Sequence, residues 1–310
     1  MQTVLITGGT GLVGNQLAKL LLSKGYTVII MTRTLPANQN ENKQLQYAKW
    51  NIETKQYDTS AFEAADIITH LAGAGVADKR WSTKRKQEIV ESRVKSGELI
   101  VQALKETNNK VKTVISASAI GWYGADTKES LAKPFTEDAK ADTAFLGNTC
   151  KLWEESILPV QDQGIRLVIL RIGIVLSNDG GALVEFKKPI KFGLATILGN
   201  GKQIISWIHI DDLCNLFLYA CENNQLNGGY NAVAPNPVNN KTLTLQLAKE
   251  MRGSFFIPVF APAFMLKIIL GEMSIEVLKS THVSSKKVQA AGFAFRYPTI
   301  QPALQALINE

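Results

Sequence analysis

Short apolar runs alternate with longer amphipathic stretches along the first half of the chain. Each run is too short for a helix and predicts a buried strand, whereas the stretches between them have helical spacing, as at residues 84–106. Regular alternation of strand and helix is typical of an α/β fold with a doubly wound parallel sheet. The predicted strands are residues 4–6, 27–31, 44–57, 66–71, 111–116 and 166–172.

Beyond Ile174 the alternation becomes irregular. A strand beginning at residue 204 leads into a helix for which Asp211 or Asp212 is the expected N-cap. From about Thr242 the helices are interrupted by prolines. The change of pattern indicates a second, less regular part of the chain after the doubly wound part.

A glycine-rich turn joins the first strand to the first helix. Gly8, Gly11 and Gly14 have GxxGxxG spacing. Lacking side chains, such residues let the chain turn sharply, let a pyrophosphate approach the backbone, and let helix pack on strand. The helix N-terminus would direct unpaired N–H groups towards those phosphates. The turn predicts dinucleotide binding, and an ordinary tight βα turn is the structural alternative.

The end of the second predicted strand is where a cofactor's adenosine ribose should lie. NAD enzymes commonly place an acidic residue there, whereas an arginine accommodates the 2′-phosphate of NADP. This chain has Thr32-Arg33-Thr34 at that point. Arg33 therefore favours NADP over NAD, and a solvated loop arginine is the alternative.

Composition is that of a globular protein, with 45% hydrophobic and 20% charged residues among 310. The net charge is +7, but the basic residues are dispersed and cluster only at residues 79–86. A dispersed excess favours solubility or attraction of an anionic ligand over nucleic-acid binding. We therefore expect a small-molecule substrate and no nucleic acid.

Three cysteines, Cys150, Cys214 and Cys221, are an odd number without metal-like spacing, so we expect reduced thiols and no metal site. No leader pattern precedes the first strand. The longest apolar stretch, residues 255–270, is broken by two prolines and a lysine and is too short to span a bilayer. The expected location is the cytoplasm, with no membrane association.

These motifs resemble the extended short-chain dehydrogenase/reductase superfamily, which includes nucleotide-sugar epimerases and dehydratases. Segments 7–14, 70–73 and 207–212 are similar to its cofactor loop, its motif after the fourth strand and its late strand–helix motif. Segments 79–81, 91–94, 116–124, 145–146, 153–154, 271–273 and 292–295 resemble one uncharacterised epimerase family with a C-terminal domain of unknown function. The resemblance implies a cofactor site formed by Thr7, Gly8, Gly11, Leu12, Val13, Gly14, Arg33, Leu71, Ala72, Gly73 and Lys151.

The same resemblance implies which residues are catalytic. In the superfamily a YxxxK tyrosine acts as general acid/base, its lysine assists, and a serine holds the substrate oxygen. Lys151 matches the lysine and Ser118 the serine, but Gly147 stands where the tyrosine belongs. Arg93 occupies the position of a further catalytic-site asparagine. Tyr123, five residues after Ser118, is the candidate replacement for the tyrosine, and a pocket wall is its alternative role.

Candidate substrate contacts lie near these positions. Arg80 and Arg93 suit an anionic substrate group, and Trp81 and Trp122 suit a sugar or aromatic ring, with core packing as the alternative. The prediction is an NADP-dependent oxidoreductase or epimerase that acts by hydride transfer on a polar carbonyl or hydroxyl substrate of the sugar-nucleotide kind. Because Gly147 replaces the tyrosine, a non-catalytic NADP sensor or scaffold is the alternative. The resemblance also implies a Rossmann domain over residues 1–235, with 174–204 contributing to a substrate lobe, and a smaller C-terminal substrate-lobe domain over residues 236–310. A homodimer is a further family-level expectation.

Overall fold

A computed structural model describes residues 2–37 and 43–309. Helices and strands alternate through both lobes of this part of the chain. The strands are β1 (Thr3–Thr7), β2 (Thr27–Thr32), β3 (Leu45–Asn51), β4 (Gln56–Tyr57), β5 (Ile67–His70), β6 (Thr113–Ala119), β7 (Arg166–Ile172), β8 (Ile174–Leu176), β9 (Leu194–Leu198), β10 (Ile204–Ile205), β11 (Trp207–His209), β12 (Gly228–Ala232), β13 (Val238–Asn239) and β14 (Ile257–Ala261).

The α-helices are α1 (Leu12–Ser23), α2 (Thr59–Ala64), α3 (Thr83–Glu106), α4 (Lys128–Ala132), α5 (Phe145–Ile157), α6 (Ala182–Lys191), α7 (Ile210–Glu222), α8 (Asn240–Arg252), α9 (Ala263–Leu270), α10 (Ser274–Leu278), α11 (Lys286–Ala290) and α12 (Ile300–Asn309). Short 3₁₀ helices cover Ile120–Tyr123, Leu158–Gln163 and Gly271–Met273. Within the described ranges, no helix is long and apolar enough to cross a membrane.

One large sheet organises the bigger lobe, with the strand order β12-β7-β6-β5-β1-β2-β3-β4. All neighbouring strands in it are parallel except the edge pair β3–β4. The chain moves outward from β1 to β3 on one side and from β5 to β7 on the other. The prediction of a doubly wound parallel sheet is therefore confirmed, and its switch point lies at the carboxyl ends of β1 and β5.

Helices cover both faces of the sheet because successive strand residues point to opposite sides. Val4 and Ile6 of β1 join one apolar cluster with Phe217 of α7, and Leu5 joins the other cluster with Ile100 of α3. All five side chains are buried. The near-continuous apolar strands seen in the sequence follow from this double coverage.

A third apolar cluster forms the smaller lobe. It joins Leu183 of α6, Ala195 of β9, Leu247 of α8 and Leu304 of α12. Strand β9 pairs with β14 in a separate two-stranded parallel sheet. Residues 174–198 thus leave the large sheet, and the chain returns to its edge at β12.

The start of α7 differs from expectation. Neither Asp211 nor Asp212 is the N-cap, because the His209 ring accepts the Asp211 backbone N–H at 3.1 Å from Nδ1. Asp212 lies in the first turn, where its carboxylate accepts the backbone N–H groups of Arg296 and Tyr297 at 2.8 and 2.9 Å. The aspartate therefore holds the C-terminal segment, and the N-cap prediction is wrong because the imidazole fills that position.

Candidate cofactor cleft and catalytic site

The glycine turn lies at the switch point of the sheet. Gly8 has φ of +72°, and a Cβ there would stand 2.7 Å from the backbone of Leu71, so the loops after β1 and β5 are in direct contact. A Cβ at Gly11, the N-cap of α1, would stand 3.3 Å from the Gly8 carbonyl oxygen. No side chain among the described residues caps α1, and its first turn holds no acidic residue. These features fit a dinucleotide pyrophosphate.

Arg33 lies beside this turn. Strand β2 pairs with β1 so that Met31 is opposite Thr7, which brings the residues after both strands to the same edge. The Arg33 side chain is exposed to solvent there. It can reach an anionic group bound near the carboxyl end of β2.

Thr7 and His70 form the buried floor below the turn. The Thr7 hydroxyl lies 2.8 Å from His70 Nδ1, and the Trp153 indole donates to His70 Nε2 at 3.2 Å. Since Nε2 accepts that bond, Nδ1 carries the proton and donates to Thr7. Burial, with a smaller effect of Arg93, lowers the pKa of His70 to about 3. His70 is a packed strand histidine, in agreement with its position in the sequence.

Acidification is therefore expected to destabilise the protein through His70. The unfolded histidine takes up a proton below pH ~6.5, whereas the folded one resists protonation down to about pH 3. The contribution of His70 to the free energy of unfolding is complete above pH ~6.5 and falls by up to about 1.4 kcal/mol per pH unit as the pH drops through this window. Urea unfolding at pH 7, 6 and 5 measures the slope. Burial also lowers the pKa of His209 to about 4, so this residue contributes to the pH dependence of stability in the same direction. The test is therefore whether His70→Gln reduces the slope. An unchanged slope contradicts the assignment to His70.

Arg93 supports the loop that follows β5. Its Nη1 donates to the Ala74 and Ile89 carbonyls at 3.0 and 2.8 Å, and its guanidinium lies 4.9 Å from the Trp153 ring. The guanidinium also packs on Gly73, where a Cβ would come within 3.0 Å of it. The predicted substrate residue is thus half-buried and already bonded to the backbone of the loop that follows β5.

Arg80 and Trp81 lie where the two lobes meet. The exposed Arg80 side chain packs against Gly271, at which a Cβ would be 2.6 Å from Nε. Trp81 donates from Nε1 to the Val76 carbonyl at 2.9 Å, and its ring contacts Phe145 edge-on at 5.0 Å. These two candidates are close to the C-terminal lobe and to the start of α5.

A buried polar network lies under the cleft. The Ser118 hydroxyl donates to Glu154 Oε1 at 2.7 Å. Arg171 binds the same carboxylate with two donors, Nε at 2.8 Å and Nη2 at 3.0 Å. All three residues are less than a tenth exposed. This arrangement joins β6, α5 and β7, and it directs the Ser118 proton away from any substrate and towards Glu154.

Tyr123 belongs to this network. Its hydroxyl donates to Asn231 Oδ1 at 2.6 Å and accepts from Arg171 Nη1 at 3.0 Å. Burial raises the pKa of Tyr123 to about 12, against the opposing effect of Arg171. Trp122 stacks on Arg171 at 3.7 Å and donates to the Ala139 carbonyl. Tyr123 and Trp122 thus pack around the arginine, and the tyrosine holds its proton tightly.

No functional role was predicted from the sequence for Glu154, Arg171 or Asn231. A weak signal exists for two of them. Arg171 is the one charge inside an otherwise apolar strand interior, residues 167–172, and Glu154 follows Lys151 by one helical turn. A charge inside a buried strand indicates a buried partner.

Helix α5 presents Gly147, Lys151 and Glu154 along one stripe, at i, i+4 and i+7. Gly147 and Glu154 are buried, whereas the Lys151 side chain between them is 53% exposed and lies 3.7 Å from the Glu155 carboxylate. A Cβ at Gly147 would stand 2.3 Å from the Asp142 carbonyl oxygen. The backbone of the preceding loop occupies the space that a side chain at 147 would need.

A Rossmann-type sheet with a glycine turn at its switch point defines the class of this protein. The chain belongs to the NAD dependent epimerase/dehydratase family, whose profile matches residues 4–233. A second profile, described as a domain of unknown function (DUF1731), matches residues 261–307. The resemblance inferred from the motifs is thereby confirmed for both parts of the chain.

Among known proteins, the chain is similar to the epimerase family protein YfhF of Bacillus subtilis, with 36% identity over 99% of this chain and 98% of that protein. A solved structure of the human epimerase family protein SDR39U1 with NADPH matches with a TM-score of 0.86, 25% identity and 99% coverage of both chains. The nucleoside-diphosphate sugar epimerase of Corynebacterium glutamicum matches with a TM-score of 0.77 and 29% identity over 99% of this chain and 58% of that one.

Proposed function

We propose that this protein is an NADP-dependent oxidoreductase of the epimerase type, acting on a polar carbonyl or hydroxyl substrate of the sugar-nucleotide kind. The glycine turn carries the proposal, because the positive φ of Gly8 and the open first turn of α1 suit a dinucleotide. The human relative of similar fold was solved with NADPH, and the relative from C. glutamicum is a nucleoside-diphosphate sugar epimerase.

The chain's own residues would divide the work as follows. The turn Gly8–Gly11 and the first N–H groups of α1 hold the phosphates, and Arg33 binds a 2′-phosphate. Lys151, half exposed on the stripe of α5 that faces the sheet, holds a ribose. When bound, the nicotinamide supplies hydride exchange. Ser118 accepts a hydrogen bond from a substrate hydroxyl, since its own proton points to Glu154.

Arg33→Ala is expected to weaken NADPH binding about 10- to 100-fold and NADH binding by less than about twofold. The reason is that a charge-assisted bond to the 2′-phosphate is worth roughly 1.5–3 kcal/mol, and NADH lacks that group. Titration calorimetry measures both affinities. Lys19→Ala, which removes an exposed cation further along α1, is the matched control. Equal losses of affinity for the two cofactors would show that Arg33 does not bind the 2′-phosphate.

Ser118→Ala is expected to lower turnover at least about tenfold, because the substrate oxygen loses its partner. The assay follows NADPH oxidation by the purified protein with sugar nucleotides, quinones and small carbonyls. Ser116→Ala is the matched control, since Ser116 is equally buried on β6 and its hydroxyl donates to the Ala117 carbonyl. If Ser118→Ala and Tyr123→Phe both leave turnover unchanged, the proposed catalytic site is wrong.

A non-catalytic NADP sensor or scaffold is the second candidate, favoured by the packing of Asp142 on Gly147. That contact leaves α5 without the tyrosine that serves as acid/base in the superfamily. The two functions differ in a simple measurement. A sensor binds NADPH and changes its hydrogen-exchange pattern, yet oxidises no NADPH with any compound of the panel.

A further inference from the structure

Large apolar side chains are exposed mainly in the C-terminal lobe. Of fourteen such side chains within the described ranges, ten lie between residues 192 and 275. Exposed apolar side chains concentrated in one region of a surface are typical of an interaction site. The members used here, called the apolar face, are Phe192, Leu194, Phe255, Ile257, Phe264 and Ile268.

The small sheet forms one part of the apolar face. Leu194 of β9 is the register partner of Ile257 of β14. Phe192 lies in the turn that ends α6, and Phe255 lies in the loop before β14, each two residues before this pair. The Ile257 N–H donates to the Gly193 carbonyl at 2.8 Å, which brings the two loops side by side. The phenylalanines are 84% and 81% exposed, so their rings project from the surface.

Helix α9 forms the second part, at the other end of β14. It begins immediately after β14, with Pro262 as its N-cap. Phe264 and Ile268, one turn apart, are 65% and 70% exposed, whereas Leu266 is the buried residue of this helix. The helix therefore turns most of its apolar surface outward instead of into its own lobe.

Positive charge surrounds these side chains. Lys191 directly precedes Phe192, and Lys267 directly precedes Ile268. Arg252 donates to the carbonyls of Lys191 and Phe255 at 3.1 and 2.9 Å, which fixes a third cation beside both rings. All three cations are exposed, and the sequence has no acidic residue between positions 251 and 271.

We propose that the apolar face docks on the surface of an anionic phospholipid bilayer. Projecting aromatic rings with a cationic rim suit the boundary between lipid headgroups and acyl chains. A second copy fits less well, because a twofold contact would bring like-charged rims together. A helical peptide needs a groove, whereas Phe192 and Phe255 project.

Docking on a surface requires no spanning segment. The expectation of no membrane association rested on the interrupted stretch 255–270, which is too short to cross a bilayer. Lying on the bilayer is a separate matter, because it depends on exposed apolar area and charge. The proposal is independent of the hydride chemistry.

The test is co-sedimentation of the full-length protein with vesicles of phosphatidylcholine, or of equal parts phosphatidylcholine and phosphatidylglycerol. We expect binding to the anionic vesicles that weakens with salt. Phe192→Ser/Phe255→Ser should weaken it at least about tenfold. The matched control, Leu131→Ser/Leu158→Ser, removes two leucines that are 54% and 42% exposed outside the apolar face and should bind as the native protein does.

A second variant tests the charge and also serves if the phenylalanine variant fails to fold. Lys191→Gln/Lys267→Gln is expected to weaken binding to anionic vesicles about tenfold or more while leaving NADPH affinity unchanged. The proposal is overturned if the native protein does not bind anionic vesicles or binds both vesicle types equally. It is also overturned if the leucine control weakens binding as much as Phe192→Ser/Phe255→Ser does. It is also overturned if light scattering shows a dimer that Phe192→Ser/Phe255→Ser converts to a monomer while vesicle binding persists.

Discussion

Arg171→Met is expected to lower the free energy of unfolding by about 3–5 kcal/mol. Removing one member of a buried ion pair leaves the other charge without compensation, which is the costly case. The Glu154 carboxylate would keep only the Ser118 hydroxyl, and the Tyr123 hydroxyl would lose the donor now 3.0 Å away. Urea denaturation measures the loss, and hydrogen exchange in β6 and β7 should report opening under the cleft.

Two further variants separate burial from charge. Lys188→Met breaks an exposed pair with Glu185, whose side chains are 62% and 68% exposed, and should cost less than about 1 kcal/mol. Glu154→Leu/Arg171→Met removes both buried charges and should be more stable than Arg171→Met alone. A cost for Arg171→Met no larger than that for Lys188→Met would show that the buried network contributes little.

Gly147→Tyr is expected to restore no tyrosine chemistry and to lower the free energy of unfolding by about 3 kcal/mol or more. Any Cβ at this position meets the Asp142 carbonyl oxygen at 2.3 Å, and that neighbour is backbone instead of a flexible side chain. Denaturation measures the stability, and NADPH oxidation measures the activity. A stable Gly147→Tyr protein would contradict the packing described for the loop.

Gly147→Ala decides between two opposing effects. Helix propensity alone favours alanine over glycine by about 1 kcal/mol in the interior of a helix. Overpacking against Asp142 acts in the other direction and is worth about 1–3 kcal/mol. We expect net destabilisation. Gly229→Ala is the matched control, because a Cβ at Gly229 meets nothing within 4 Å, and it should be close to neutral.

Sequence reasoning predicted the elements whose signal is local. The strand over residues 166–172 coincides with β7, and the helix over residues 84–106 begins one residue early, at Thr83. Both have strong apolar periodicity, which depends only on neighbours in the chain. The glycine turn between β1 and α1 was predictable for the same reason, since its three glycines and its flanking elements lie within one short segment.

The buried network could not be predicted because its partners are distant in sequence. Tyr123 and Asn231 are 108 residues apart, and nothing near either indicates the other. The N-cap of α7 failed for a different reason: histidine is an uncommon cap, so the aspartates that follow His209 had the stronger local preference. The single strand predicted to begin at residue 204 is two strands in the structure, because Ser206 separates β10 from β11.

The contact between Asp142 and Gly147 also limits which substitutions this site can accept. Once the loop backbone has moved into the space beside α5, a side chain at 147 requires the loop to move first. A loop displaced beside an unchanged glycine would leave a void. A side chain at 147 alone and a displaced loop alone are therefore both destabilising, and their effects on the free energy of unfolding do not add. Return to tyrosine-based chemistry therefore passes through a less stable intermediate. Divergence in this branch is expected to proceed by recruiting other groups at the cleft, a path that evolution can take one substitution at a time.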